Sequence, residues 1–284
     1  MLLRRGLLRV AGFVASFAAF AGFGAGVALG TPGSAPTAPP CDPREEYDEY
    51  LQYDVSYLGF DIGTLELYFS GGSEGGGGRS GGRSSACGAI VMETFPNIGF
   101  LRVYTEYFAE LDRDGYFRRS HTWNDEGDEW GYAISERSSV SNRITHRTGL
   151  TEEQFGDVTP ADEFEVLSPD GPAHDAVSFI RYIRDTIGSR GRLEAALFDD
   201  GSLERIPVTV VSRSETVEVG AFEEPQPSIK VEVELDFEAI HGLRDVLTVH
   251  FAKDAWKTPL YAEARIVIGR VRLELAEYRR GSRR

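Results

Sequence analysis

From Tyr47 onward, apolar and polar residues alternate along most of the chain. Leu51, Tyr53, Val55 and Tyr57 alternate with polar neighbours, and after a Gly59 to Gly63 turn Leu65, Leu67 and Phe69 alternate again. Period two is the signature of strands with one buried face, so this stretch predicts a β-hairpin. A further strand is expected at Ala86 to Thr94. Asp112-Arg113-Asp114-Gly115, Asn124-Asp125-Glu126-Gly127 and Asp199-Asp200-Gly201 mark further hairpin turns. The runs between them carry Tyr104, Phe108, Phe117, Trp123, Trp130 and Tyr132, a ring density that suits strands.

One segment has a different period. In His174 to Gly188, Ala176, Phe179 or Ile180, Ile183 and Ile187 fall at helical spacing. Asp175 is placed to start the helix and Gly188 to stop it, which predicts one amphipathic helix over 175–187. Strands are then expected at roughly 192–198, 203–213, 215–220, 228–238, 246–253, 260–268 and 270–277. Val231, Val233, Leu235 and Phe237 alternate with Glu232, Glu234 and Asp236, as in a sheet with one wet face. The fold class is therefore mainly β: a curved antiparallel sheet, a half-barrel or meander, packed on one helix.

The N-terminus changes the picture from fold to compartment. Arg4, Arg5 and Arg9 precede an uncharged stretch from Val10 to Leu29, the order of a secretory signal, with cleavage expected after Gly30. An uncleaved membrane anchor is the alternative, since about 20 apolar residues reach across a bilayer, although the glycines weaken such a helix. Arg4 to Arg9 also loosely resembles a twin-arginine export signal, which no cofactor motif supports. Residues 31–46 are proline-rich and read as a linker. Residues 47–278 read as a single β-rich domain interrupted by a glycine-rich loop at 71–85, and residues 279–284 as a basic tail. The expected location is the periplasm.

Cys41 and Cys87 are the two cysteines. In an oxidising compartment they form one disulfide or remain two thiols. Ala38-Pro39-Pro40 before Cys41 is no lipobox, so no lipid anchor is expected. Loss of Arg4, Arg5 and Arg9 with the leader takes the net charge from −15 to −18. That surface repels nucleic acid and anionic lipid headgroups.

Motifs that carry chemistry weaken on inspection. Gly71-Gly72-Ser73-Glu74-Gly75 and Gly78-Arg79-Ser80-Gly81-Gly82 match a hydrolase nucleophile pattern, yet a nucleophile elbow needs a helix after it and none is predicted. Gly76, Gly78 and Gly81 fail as a dinucleotide loop for the same reason. The acidic turns lack EF-hand spacing, and His121, His146, His174, His241 and His250 lack the paired spacing of a zinc site. No cofactor and no catalytic or metal-binding residue is assigned. Tyr53, Tyr57, Phe69, Tyr104 and Phe108 on the sheet, with Phe179 and Ile183 on the helix, are the candidate lining of an apolar groove.

Four segments together resemble the DUF3108 family of exported bacterial proteins of unknown function. They are Tyr53 to Gly63, Asp175 to Arg184, Phe198 to Gly201, and Asp254-Ala255-Trp256-Lys257-Thr258-Pro259-Leu260 leading to Gly269 and Leu275. The resemblance implies a half-barrel partly wrapped around a helix, similar in outline to periplasmic lipoprotein and lipid carriers. It supplies no catalytic residues. The expected function is a non-catalytic, monomeric envelope protein that binds a lipid or lipidated peptide. The alternatives are an assembly module whose acidic surface meets an envelope protein, or a hydrolase with dispersed site residues.

Overall fold

The computed structural model describes residues 43–44, 47–71, 86–96, 103–125, 130–150, 162–168, 171–199, 201–237, 243–265 and 269–281. The expected leader, most of the linker and nearly all of the glycine-rich loop lie outside the described residues. Among the described residues, no helix is long and apolar enough to cross a membrane.

The described residues build a 14-stranded antiparallel sheet and one helix. Its strands are β1 (Glu49–Tyr57), β2 (Phe60–Ser70), β3 (Ala86–Thr94), β4 (Tyr104–Leu111), β5 (Phe117–Asp125), β6 (Trp130–Arg137), β7 (Arg143–Leu150) and β8 (Asp162–Leu167). After helix α1 (Ala176–Thr186) come β9 (Arg192–Asp199), β10 (Ser202–Val217), β11 (Gln226–Phe237), β12 (Leu243–Ala252), β13 (Pro259–Arg265) and β14 (Arg270–Arg280).

The strand order is β8-β7-β6-β5-β4-β3-β2-β1-β14-β13-β12-β11-β10-β9. The chain thus enters at the middle of the sheet, meanders out to β8, crosses through α1 to the other edge, and meanders back until β14 pairs with β1. Every connection joins sheet neighbours except that through α1. The sheet curves without closing, its inner face lined by two apolar clusters. One contains Leu51, Tyr53, Val55, Ile90, Met92 and Leu275, and the other Ile183, Val208, Val231, Val233 and Phe251.

Register explains where the helix sits. Phe69, Gly88 and Ala109 lie side by side on β2, β3 and β4. A Cβ on Gly88 would collide with the Val177 side chain, so this glycine opens the sheet to α1. Asp175 caps the helix in a reciprocal box: its carboxylate accepts from the Ser178 amide at 2.8 Å, and the Ser178 hydroxyl accepts from the Asp175 amide at 2.8 Å. His174 pairs with Leu197 ahead of the helix, fastening this entry to the β9 edge.

Several expectations shift in detail. The first hairpin turns on Leu58-Gly59, both at positive φ (53° and 84°), as a two-residue turn requires when it matches the strand twist. Gly63 lies inside β2 because its missing Cβ admits the Glu93 carbonyl. The strands expected at 203–213 and 215–220 are one strand, β10, whose register slips at Ser212 instead of breaking. The helix is not stopped by a left-handed glycine. Arg213 reaches from β10 and donates to the carbonyls of Ile187 (2.8 Å) and Arg190 (2.7 Å), satisfying the helix end. β14 continues through Arg280, whose guanidinium binds Asp254 at 2.8 Å.

Candidate functional site

The space between α1 and the sheet holds a small apolar cavity of about 50 Å³, set in a cleft of about 560 Å³ when its open mouth is counted. Ile180 and Ile183 form the helix side, and Tyr53, Leu65, Val249 and Phe251 belong to the sheet side. The sheet residues come from the inward rows that period two defines, and the two isoleucines from the apolar face of the helix. Tyr53 supplies the main polar atom nearby, yet its hydroxyl is spent on the Pro259 carbonyl at 2.8 Å. Burial pushes that phenol well above its ordinary range, so it stays protonated.

Of the predicted lining residues, Tyr53 and Ile183 border the cavity. Tyr57 and Phe69 lie on the same inner rows but elsewhere: Tyr57 is buried beside Val271, and Phe69 lies beneath the Arg184 guanidinium at 5.2 Å. Phe179 packs into the cluster under β9 to β11. Tyr104 and Phe108 lie on the outer face, because β4 turns Tyr107, Ala109 and Leu111 inward. Arg44 covers Phe108 at 4.8 Å, and Trp123 meets Tyr104 edge-on at 5.4 Å. Glu106 and Glu110 share the outer face of β4 with Tyr104 and Phe108, so the alternation of the strand itself marks these two aromatics as outward. Leu65, Leu67, Ala262 and Leu273 complete the wall, and their alternation in β2, β13 and β14 is the signal that could have found them.

Polar groups clamp the helix around this cleft. Arg184 and Glu49 form a buried ion pair at 2.7 Å, and Arg184 also donates to the Trp256 carbonyl at 2.9 Å. At the other end, the Tyr107 hydroxyl donates to the buried Asp175 carboxylate at 3.0 Å. Burial raises the Asp175 carboxyl, while its bonds from Ser178 and Tyr107 pull the other way. His174 lies between the rings of Tyr116 (4.6 Å) and Tyr182 (4.7 Å), and burial lowers it to about 4. This imidazole is neutral at physiological pH.

Among the described residues, Ser135 Oγ meets His146 Nδ1 at 2.8 Å and Ser228 Oγ meets His250 Nδ1 at 3.1 Å. Ser135 and His146 are directly opposite on β6 and β7 and both are buried. Such a pair satisfies interior polar atoms across a ladder, and its serine is shut away from any substrate. Among the described residues, no three His, Cys, Asp or Glu side chains gather as a metal site would require.

Cys87 is disulfide-bonded, and Cys41 is the sequence's other cysteine, outside the described residues. Cys87 projects from the outer face of β3, the side on which Arg44 ion-pairs with Glu106 at 2.6 Å. The stretch leading into β1 is thus fastened across the outer face of the sheet.

The crystal structure of a protein of the domain of unknown function DUF1849 from Brucella abortus, described as β-barrel-like, superposes with a TM-score of 0.55. The chain shares that β-barrel-like fold. Sequence identity over the match is 9%, covering 83% of this chain and 98% of the other. No family model matches the sequence, DUF3108 included. No curated protein matches it either. What the likeness establishes is a β-barrel-like architecture held in common with a protein of unknown function.

Proposed function

We propose that this is a non-catalytic protein of the bacterial cell envelope that holds an apolar or lipid-like ligand between α1 and the inner face of its sheet. The observation that carries the proposal is the cleft against Ile180 and Ile183, walled almost wholly by apolar side chains. A small-molecule site ordinarily encloses roughly 300 Å³ or more. The cavity is about 50 Å³, so holding an acyl chain requires the cleft to widen beside Ile180 and Ile183. The occupant is an acyl chain or lipidated peptide, because the wall offers it van der Waals contact and almost no hydrogen bonds.

Kinship with DUF3108 and a periplasmic location belong to the same proposal. Arg184 bonds the Trp256 carbonyl and Tyr53 the Pro259 carbonyl, so three of the four segments behind the resemblance meet beside the cleft. The test is to purify the protein from native cells without delipidation and extract it for lipid mass spectrometry. A co-purifying acyl species near one per chain is expected. Protein that reproducibly yields none contradicts the proposal.

A further inference from the structure

The wall of the cleft parts between β13 and β14. Their ladder runs from Arg265 opposite Arg270 to Tyr261 opposite Glu274 and stops there, although β14 continues beside β1 to Arg280. Both strands are bulged at this point. Pro259 pairs with Phe251 and Tyr261 with His250, which leaves Leu260 over. Leu275 pairs with Tyr53 and Glu277 with Gln52, which leaves Ala276 over. Bulges bend a strand and end its pairing, and they collect at the rims of barrels. The cleft lies directly behind this seam, since Tyr53, Pro259, Ala262 and Leu273 all line it. Tyr53 reaches across from inside, its hydroxyl donating to the Pro259 carbonyl at 2.8 Å.

The hairpin between β10 and β11 fills the seam. At its tip, the Ala221 amide donates to the Leu275 carbonyl at 2.9 Å, on the part of β14 that β13 leaves unpaired. The Gly220 amide donates to the Glu274 carboxylate at 3.0 Å, and Phe222 meets the Tyr278 ring at 6.3 Å. Val219 joins the apolar cluster that holds Tyr53, Leu260 and Leu275.

This tip is lightly held. The β10–β11 ladder is regular as far as Val210 opposite Val231, then slips between Val210 and Ser212 and again between Ser212 and Glu215, so the hairpin bends there. Among the described residues from Val211 to Pro227, Val219 and Ser228's neighbours aside, the side chains are exposed or half-buried, and Val219 alone is buried. Few buried contacts make local opening easy. The hydroxyl of Tyr278, the residue that Phe222 meets, is buried with no hydrogen-bond partner. Such a group disfavours the seated state, and a lifted tip lets water reach it. Arg213, within the bend, holds the Ile187 and Arg190 carbonyls at the end of α1. The hairpin and the helix that walls the cleft are therefore joined at the hinge.

We propose that the seam between β13 and β14 is the portal through which an acyl chain enters the cleft, and that the β10–β11 hairpin tip is its gate. This assignment rests on the acyl-ligand reading of the cleft. A gate seated in both the empty and the filled protein sets how fast the ligand exchanges and leaves its affinity alone, which separates it from a residue of the cleft wall.

One double variant of the full chain tests the gate in both directions. Phe222→Cys with Tyr278→Cys removes the ring contact, and a flexible bis-maleimide then ties the tip to β14. Cys87 is already disulfide-bonded and does not compete for the reagent. Stopped-flow mixing with dansyl-labelled undecanoic acid reads the association and dissociation rates. Before linking, both rates are expected to rise at least about threefold over the natural sequence while Kd stays within about twofold, and linking is expected to lower both at least about tenfold. Glu274→Ala, which removes the exposed carboxylate that holds the Gly220 amide, supplies the second arm. It is expected to raise both rates about twofold with cooperative unfolding retained. Rates that linking leaves unchanged, or that Glu274→Ala leaves unchanged should the double variant not fold, overturn the portal and leave the cleft standing as a binding site. A change in Kd carried by the dissociation rate alone overturns it too. No saturable binding by the natural sequence overturns the acyl-ligand reading and the portal together.

Discussion

At the scale of single residues, packing and protonation are the testable quantities. Gly88 is fixed by the helix lying on it. Gly88→Val forces the side chain into Val177 and should lower stability by about 2–3 kcal/mol, measured by urea denaturation, whereas Gly191→Ala, with open space around it, should be near neutral. His174 gives a pH prediction. Its pKa is lowered from 6.5 to about 4 by burial, with Arg137 adding to the effect. Below pH 6.5 the unfolded chain takes up the proton and the folded chain does not. Stability is therefore lost as pH falls from 6.5 towards 4, by up to about 3 kcal/mol. Buried His121, also lowered to about 4, contributes in the same sense. Asp175, raised by burial, acts in the opposite sense as acidity increases. His174→Phe keeps the ring between Tyr116 and Tyr182 and should flatten the fall in urea midpoint between pH 7 and pH 4.5. An unchanged slope would mean that His174 is not the group responsible.

At the scale of elements, the helix is the part whose attachment decides the cleft. Removing one partner of the buried Arg184–Glu49 pair strands a charge, so Arg184→Met should lower stability by about 3–5 kcal/mol, read from thermal or urea unfolding. Restoring neutrality with Glu49→Gln in the same chain should recover part of that loss. The disulfide at Cys87 acts on another element, the stretch entering β1. With Cys41 it closes a loop of roughly 46 residues, worth about 4 kcal/mol in the chain-entropy view, so Cys87→Ser should lower the melting temperature by several degrees or more. Much of this level was legible in the sequence. The helix bounds follow from the spacing of Ile180, Ile183 and Ile187 and the Asp175 cap, and the β1–β2 rows follow from strict alternation. The exit of the helix was not legible, because Arg213 is 26 residues away from the Ile187 carbonyl it caps. The facing of Tyr104 and Phe108 was legible after all, since Glu106 and Glu110 share their side of β4 and mark it as the outer one; ring density alone is what places these two residues in the groove.

At the scale of the whole molecule, the fold is one long antiparallel sheet that starts in its own middle, with the two halves closed on each other by β1 and β14 and the far edges linked by α1. Alternation predicts the strands but not their order, since return of the last strand to the first is a property of curvature. The cleft depends on that return: Tyr53 and Leu65 come from the outgoing half, and Val249, Phe251 and Leu273 from the returning half. Individual rows were visible in the sequence. Their meeting across β1 and β14 was not.

The central claim is that the cleft admits an acyl chain beside Ile180 and Ile183. Ala262 lines it and is buried, and Ala262→Leu adds more volume than the 50 Å³ cavity offers. A fluorescent fatty acid titrated into the delipidated protein should saturate at one per chain. Ala262→Leu should weaken that binding at least about tenfold while the variant still unfolds cooperatively. No saturable binding by the natural sequence, or equal binding by the folded Ala262→Leu chain, would contradict the account.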